Sequence, residues 1–195
     1  MAESQGLITR AITDSDLPDL EEFCSIAASA GLTNNASPAA MRYDWCQEQG
    51  GAWMGTWCRD TLISVSGCHP LPQVGPDVYR VLFRGCTLPA HTNDSNTVSK
   101  THMNSIPFRE HLPLQMSHAQ SQGYATAVIT TNFANPNRIT SMDSSHRVLA
   151  LLARQGLVRE HRSRVRLYGT DQAVWAIVPD AYHATRVLFQ QRHGL

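Results

Sequence analysis

The sequence has no excess of charge of either sign. Its 16 Lys and Arg residues balance 16 Asp and Glu residues, and the isoelectric point is about 7.1. A protein that recruits a nucleic acid or an anionic membrane through its overall field carries a net positive charge. The composition therefore predicts that neither nucleic acid nor membrane is a partner of this chain.

The sequence also lacks any C-x-x-C pair. Five cysteines, an odd number, are scattered over positions 24, 46, 58, 68 and 86. This is not the pattern of a disulfide framework, and the nine histidines match no zinc-ligand spacing. The prediction is therefore a protein with reduced thiols and without a metal site.

Long apolar runs are missing as well. No stretch approaches the roughly 20 apolar residues that a membrane-spanning helix needs, and residues 1–16 contain no apolar core of signal-peptide length. Together with the reduced thiols, this predicts a cytoplasmic protein. The 195 residues, 42% of them hydrophobic, are enough to bury a core. We expect a single domain over 1–195, with 180–195 as a C-terminal helical extension.

Strand and helix signals alternate along the chain. Apolar and β-branched runs predict strands over 7–12, 52–58, 61–68, 78–87, 125–131, 157–168 and 172–178. Caps and helical periodicity predict helices over 14–30, 37–49, 113–122, 147–154 and 180–191. The third helix is expected to begin between Ser105 and Pro113 and to run to Gln122, with its firm part after Pro113 because proline disfavours an earlier start. The polar stretch 88–104 is the longest predicted loop.

The resulting order, β-α-α-β-β-β-α-β-α-β-β with a helix appended, resembles that of the GNAT superfamily of acyl-CoA N-acyltransferases. Residues 114–132, LQMSHAQSQGYATAVITTN, resemble the third helix of the family, its glycine and its fifth strand. Residues 148–158, VLALLARQGLV, resemble the fourth helix and the turn that follows. The resemblance covers almost the whole chain.

This resemblance implies an α/β fold, with a GNAT-like mixed central sheet of about seven strands flanked by helices and splayed between strands 4 and 5. It implies that acetyl-CoA or another acyl-CoA is the co-substrate, with its pantetheine lying between those two strands. A small-molecule amine is the expected acceptor.

The fourth strand is not followed by the pyrophosphate-binding pattern of the family, Gln/Arg-x-x-Gly-x-Gly/Ala. Residues 89–92, PAHT, follow it instead. Closely spaced glycines let backbone N–H groups converge on an anion, so their absence makes this chain a divergent member. We expect cofactor contacts from the strand ends and the next helix start. The candidate cofactor-binding residues are Gly85, Cys86, Thr87, Leu88, Ser105 and Asn132.

The tyrosine that protonates the leaving thiolate in the family is also missing. It lies four residues before the glycine that ends the fourth helix, and here Leu152 holds that position before Gly156. Leucine cannot donate a proton, so catalytic groups must come from elsewhere. His146, at the predicted helix start, and Asn132, at the end of the fifth strand, are candidates. The alternative interpretation is that His146 is a surface residue at the helix start and Asn132 is a turn former.

Cys86 is the third catalytic candidate. It lies near the end of the fourth strand, and it could act as a nucleophile if a neighbouring base lowered the pKa of its thiol. The alternative is a small core residue, the commoner role of a cysteine in a strand.

Two further patterns carry predictions. Arg162, Arg164 and Arg166 alternate with other residues, which predicts three guanidinium groups on one face of a strand. Such a stripe could receive a phosphate, for example the 3′-phosphate of CoA, or an acidic partner, or it could be a solvated face. Trp53 and Trp57 are four residues apart, which predicts a shared face that packs in the core or in a homodimer contact.

Two functions of different class remain open. The first is an acyl-CoA-dependent N-acyltransferase in which the amine attacks the thioester directly. The second is a non-catalytic GNAT-like module that binds a ligand or a protein. The element order favours the enzyme, whereas the missing glycine loop and the missing tyrosine favour the module.

Overall fold

The computed structural model of the chain describes residues 7–88, 106–132 and 149–193. Their contacts divide the chain into two units. Unit 1 consists of Met1–Pro70 and Val81–Gln122, and unit 2 consists of Leu71–Arg80 and Gly123–Leu195. The expectation of one domain over 1–195 stays a prediction.

Seven strands follow one another in the sheet order β1-β2-β3-β4-β5-β7-β6. They are β1 (Leu7–Ala11), β2 (Ala52–Cys58), β3 (Thr61–Pro70), β4 (Val78–Thr87), β5 (Thr126–Asn132), β6 (Val158–Leu167) and β7 (Thr170–Ile177). β4 and β5 are parallel, whereas β1–β2, β2–β3, β5–β7 and β6–β7 are antiparallel. The predicted fold class, a mixed sheet of seven strands flanked by helices, is confirmed.

The first helix of unit 1, α1 (Leu17–Ser29), follows a short 3-10 turn at Asp14–Asp16. Its end agrees with the sequence pattern, because Gly31 has a φ of 68° and leaves the helical path there. Residues Leu20, Phe23, Cys24 and Ala27 are buried and recur at helical spacing. This face of α1 therefore packs into the core of unit 1.

The second predicted helix is broken into α2 (Pro38–Met41) and α3 (Tyr43–Glu48). Arg42 between them has a φ of 66°, in the left-handed region. In a continuous helix, side chains two apart point about 200° away from each other. The break allows Met41 and Tyr43 to be buried together, at 1% and 2% exposure. The continuous helix over 37–49 was therefore a wrong prediction.

The helix before β5 begins earlier than Pro113. A wide turn over Pro107–His111, with a hydrogen bond from the Leu112 N–H to the Pro107 carbonyl, leads into α4 (Leu112–Ser121). Pro113 lies in the first turn of α4, where its missing N–H costs least. This start lies within the predicted range from Ser105 to Pro113, and the helical residues before Pro113 show that the proline does not limit it.

The core of unit 1 contains both tryptophans of β2. Trp53 and Trp57 are 1% and 5% exposed and pack in one cluster with Phe23, Tyr43 and Phe83. The core-packing alternative for these rings is confirmed. The homodimer stays a prediction.

Unit 2 has a core of its own beneath β5, β6 and β7. Its buried members are Leu71, Val78, Val128, Leu167, Val174 and Ala176. The hairpin between β6 and β7 turns over Tyr168 and Gly169, both with positive φ, which suits a two-residue turn. Two helices complete the unit: α5, described over 149–154, and α6 (Pro179–His193). Among the helices described, none has the length and apolarity needed to cross a membrane.

Candidate functional site

β4 is shared between the two units, and its pairing with β5 is short. In unit 2, Val78, Tyr79 and Arg80 pair with Thr126, Ala127 and Val128. Beyond Arg80, the pairing described between the two strands ends, although β4 continues to Thr87 and β5 to Asn132. The prediction that these strands separate is confirmed. The described pairing ends several residues before Thr87 and Thr131, where we expected the strands to diverge.

The backbone of β4 is irregular directly after this point. Leu82 and Arg84 have φ values of 54° and 50°, in the left-handed region that residues with a Cβ rarely adopt. Two such residues in three interrupt the alternation of a strand and the regular ladder to β3. Residues Val81–Thr87 therefore form a bulged segment, which we call the β4 bulge.

The Gln115 side chain of α4 bonds backbone groups on both strands at the β4 bulge. Its Oε1 accepts a hydrogen bond from the Leu82 N–H at 2.8 Å. Its Nε2 donates to the carbonyl oxygens of Ser66 and Gly67 in β3, at 3.1 and 3.2 Å. The side-chain carboxamide thus makes the hydrogen bonds that a backbone peptide group would make in a regular β ladder. Gln115 is fully buried.

A chain of buried hydrogen bonds extends from Gln115 to the edge strand. Gln115 Nε2 also donates to Ser66 Oγ at 2.9 Å, and Ser66 Oγ contacts His111 Nδ1 at 2.8 Å. On its other side, His111 Nε2 contacts Thr56 Oγ1 at 2.9 Å, and Thr56 Oγ1 contacts Thr9 Oγ1 at 2.8 Å. A neutral imidazole with one donor and one acceptor nitrogen satisfies this arrangement.

His111 is neutral because it is buried. Desolvation lowers the pKa of its imidazole to about 3. Its position follows from the sequence, since His111, Gln115 and Ala119 recur every four residues and are all buried, His111 at the end of the wide turn and the other two on α4. Sequence reasoning missed these two residues, although two polar residues at the spacing of a buried helix face are a signal of buried polar side chains.

Arg84 connects the β4 bulge to the α1–α2 connection and to α2 itself. Its guanidinium donates to Asn35 Oδ1 and to the Ala40 carbonyl oxygen, the latter at 2.7 Å. Burial, together with the charge of Arg42, lowers the pKa of Arg84. The left-handed backbone at Arg84 therefore coincides with a side chain that bonds the α1–α2 connection.

Four predicted cofactor-binding residues lie together at the end of β4 in unit 1. Gly85 is exposed, Cys86 and Thr87 are half-buried, and Leu88 is buried at 7% exposure. Thr87 Oγ1 is 2.8 Å from Ser64 Oγ, and the Leu88 N–H donates to the Ile63 carbonyl at 2.9 Å. Gly85 is thus the most accessible of the four.

Cys86 packs against the core of unit 1, and burial raises the pKa of its thiol. A raised pKa favours the neutral thiol over the nucleophilic thiolate. The environment of Cys86 therefore agrees better with the core alternative than with a nucleophile.

Asn132 lies at the end of β5 in unit 2, opposite Gln172 of β7. Gln172 is 4% exposed, and its Nε2 donates to Thr170 Oγ1 at 3.0 Å. Among the described residues, its Oε1 is buried without a hydrogen-bond partner. Opposite the end of β5, Gln172 of β7 thus has a buried acceptor that the N–H of a ligand could satisfy.

The remaining candidates divide into two groups. Leu152 is described and is buried at 2% exposure, so no proton donor occupies the position of the family tyrosine. His146 and Ser105 lie outside the described residues.

The arginine stripe on β6 is interrupted. Register shifts between Glu160 and Val165 place Arg162 opposite Val174 and Arg166 opposite Asp171. Val174 and Asp171 are three residues apart on β7, so they point to opposite faces, and so do the arginines opposite them. The prediction of three guanidinium groups on one face was wrong. Arg164 pairs instead with the Asp171 carboxylate at 2.9 Å.

In the part of the chain that the structure describes, no three His, Cys, Asp or Glu side chains are grouped to hold a metal ion. No protein-family model matches the chain, and no curated protein sequence matches it. Solved structures of other proteins, in contrast, are similar to the chain.

Three acetyltransferases are among these structures. A GNAT-family acetyltransferase from Staphylococcus aureus Mu50 has a TM-score of 0.54 at 11% identity, covering 89% of this chain and 99% of its own. Ribosomal-protein-S5-alanine acetyltransferase from Vibrio fischeri has a TM-score of 0.56 at 9% identity, covering 92% and 97%. PaiA N-acetyltransferase from Thermoplasma acidophilum, solved with coenzyme A, has a TM-score of 0.53 at 13% identity, covering 88% and 99%. The sheet order, the short parallel pairing of β4 with β5 and these similarities show that the chain has the fold of the GNAT acetyltransferase superfamily.

Proposed function

We propose that the protein is an acyl-CoA-dependent N-acyltransferase that acts on a small-molecule amine. The observation that carries the proposal is the end of the β4–β5 pairing at Arg80 and Val128. Beyond Arg80, the backbone of β4 has no described partner in β5, and an extended pantetheine with two amide groups can pair with such an edge. The similar structure solved with coenzyme A supports this choice of donor.

The reaction is a direct transfer. The neutral amine nitrogen attacks the carbonyl carbon of the thioester, a C–N bond forms, and the C–S bond breaks. The amine loses a proton to a base, and the thiolate of CoA leaves and takes up a proton. The high pKa of the Cys86 thiol fits a route without an acyl-cysteine intermediate.

Two candidates for the catalytic groups are carried into this proposal. His146 is the proposed base, because an imidazole accepts a proton near neutral pH. Asn132 is the proposed hydrogen-bonding group for the amine or the thioester. A His146→Gln variant should lose turnover while its affinity for acetyl-CoA stays within about twofold of the wild type.

The donor is tested by calorimetry with acetyl-CoA and with acetyl-pantetheine, which lacks the nucleotide and its phosphates. We expect both to bind, with a smaller difference between them than in an acetyltransferase that has the glycine loop. The reason is that residues 88–104 lack the closely spaced glycines that direct amides at a pyrophosphate. Absence of any heat or thermal shift with millimolar acetyl-CoA would remove the acyltransferase from consideration.

The acceptor is tested by measuring CoA release with a panel of amines. Similar structures include a spermidine N-acetyltransferase and a ribosomal-protein-S18-alanine N-acetyltransferase, so the panel contains polyamines and alanine-initiated peptides. The alternative function is a binding module, which the buried Leu152 in place of the tyrosine favours. Binding of acetyl-CoA without turnover of any amine would support the module.

A further inference from the structure

We propose that Gln115 is a positioning residue that holds the β4 bulge in the shape that receives the acyl donor. The inference rests on the proposed function, because it concerns the same donor site. Gln115 belongs to α4, is not one of the candidate site residues, and bonds none of them in the hydrogen bonds that the structure describes.

Gln115 accepts a hydrogen bond from the irregular part of the β4 backbone. Leu82 has its backbone in the left-handed region, and its N–H donates to Gln115 Oε1 at 2.8 Å. The Gln115 Nε2 satisfies the carbonyl oxygens of Ser66 and Gly67 on the neighbouring strand. Buried backbone groups need partners, and the carboxamide supplies a donor and an acceptor where the irregular backbone removes them.

Loss of the Gln115 carboxamide would change how β3 and β4 pair. The buried polar groups of Leu82, Ser66 and Gly67 then gain partners most readily if the two strands pair directly. Direct pairing requires β4 to lose its bulge and to shift register. A shift by one residue turns the following side chains to opposite faces and moves the peptide groups of the strand. The donor edge would therefore change while the fold remains.

The residues that surround Gln115 hold its side chain in one position. Ser66 Oγ accepts from Gln115 and is also bonded to His111, which is bonded to Thr56. Ser66, Thr56, His111 and Gln115 are each fully buried. A buried and satisfied network of this kind fixes one conformation of the groups that it contacts.

The principal experiment compares Gln115→Met with Leu114→Ala. Methionine keeps the length and apolar volume of the side chain but makes no hydrogen bond to Leu82. Leu114, the preceding residue on α4, is exposed at 38% and serves as the matched control. We expect the Kd for acetyl-CoA to rise by about tenfold in Gln115→Met and to stay unchanged in Leu114→Ala. In steady-state assays, KM for acetyl-CoA should rise while KM for the amine does not.

A second variant, Gln115→Glu, separates positioning from packing. Its neutral carboxyl can accept from the Leu82 N–H and donate to one of the two β3 carbonyls, whereas its ionised form repels those carbonyls. The Kd for acetyl-CoA, divided by the wild-type value at the same pH, should therefore fall toward one as the pH is lowered from 8 to 5.5. The neighbouring groups interfere little, because burial keeps His111 neutral and Arg84 remains charged.

The outcomes are distinct. Wild type that does not bind acetyl-CoA overturns the proposed function and this inference together. Wild type that binds, with Gln115→Met within twofold of it, overturns this inference alone. If Gln115→Met does not fold, Gln115→Glu decides, and a Kd ratio that is independent of pH overturns the inference. A merely structural role would lower the melting temperature without producing that pH dependence.

Discussion

Lowering the pH should destabilise the protein through His111. The pKa of its imidazole is about 3 in the folded protein and about 6.5 in an unfolded chain. Between these values the unfolded chain binds a proton that the folded protein does not, so stability falls as the pH falls. Above about pH 7 both states are neutral and the group has no effect.

The magnitude follows from the two pKa values. From pH 7 to pH 5, the imidazole of the unfolded chain becomes almost fully protonated, whereas the buried one stays neutral. Integrating the linkage relation over this interval gives a loss of about 2 kcal/mol of unfolding free energy. Asp16 acts in a separate window. Its hydrogen bonds from Arg10 hold the pKa of that carboxyl well below its usual range, so its contribution is complete above about pH 4 and is lost below.

The assay is urea unfolding of the wild type and of His111→Gln at pH 5, 6 and 7. Glutamine does not titrate, so the difference between the two proteins isolates the imidazole from every other histidine. We expect the wild type to lose about 2 kcal/mol more than the variant between pH 7 and pH 5. His118→Gln controls for the loss of a more accessible imidazole from the same helix. Parallel stability curves for wild type and His111→Gln would refute the reasoning.

Two further predictions concern stability. Gly51→Ala should cost about 3 kcal/mol or more, because its Cβ would lie 2.3 Å from the Cys68 carbonyl oxygen and 2.5 Å from that of Cys46. Gly123→Ala, with φ of 85° and open space around the new atom, should cost only about 1–2 kcal/mol, and thermal unfolding of both variants checks the contrast. Arg10→Lys should cost about 1 kcal/mol, because it breaks a two-bond contact with Asp16. Arg164→Lys, at a 69% exposed side chain, should cost no more than about 0.5 kcal/mol, and equal losses in urea would contradict the argument.

The strands were predictable from sequence because their signals are local. β4 was predicted at its observed bounds, since apolar, aromatic and β-branched residues predominate from Val78 to Thr87. The break at Arg42 was not predictable in this way. It follows from burying Met41 and Tyr43 together, which depends on residues distant in the chain.

The same limit applies to the candidate site. Strand order suggested that the β4–β5 pairing would end, but no local pattern marks the left-handed backbone of Leu82 and Arg84 that follows Arg80. The failed arginine stripe has the same origin, because bulges in β6 changed the face of each side chain. Alternation every two residues predicts the face of each side chain only in a regular strand, and a bulge interrupts that regularity.

The hydrogen bonds of Gln115 have a consequence for protein engineering. The shape of β4 is encoded partly outside β4, in a helix residue more than thirty positions later and in Ser66 on the preceding strand. A chimaera that received only the β4 sequence of a protein with the same fold would lack the matching carboxamide geometry. Exchange of β4 between proteins of this fold therefore requires β3, β4 and α4 to be transplanted together.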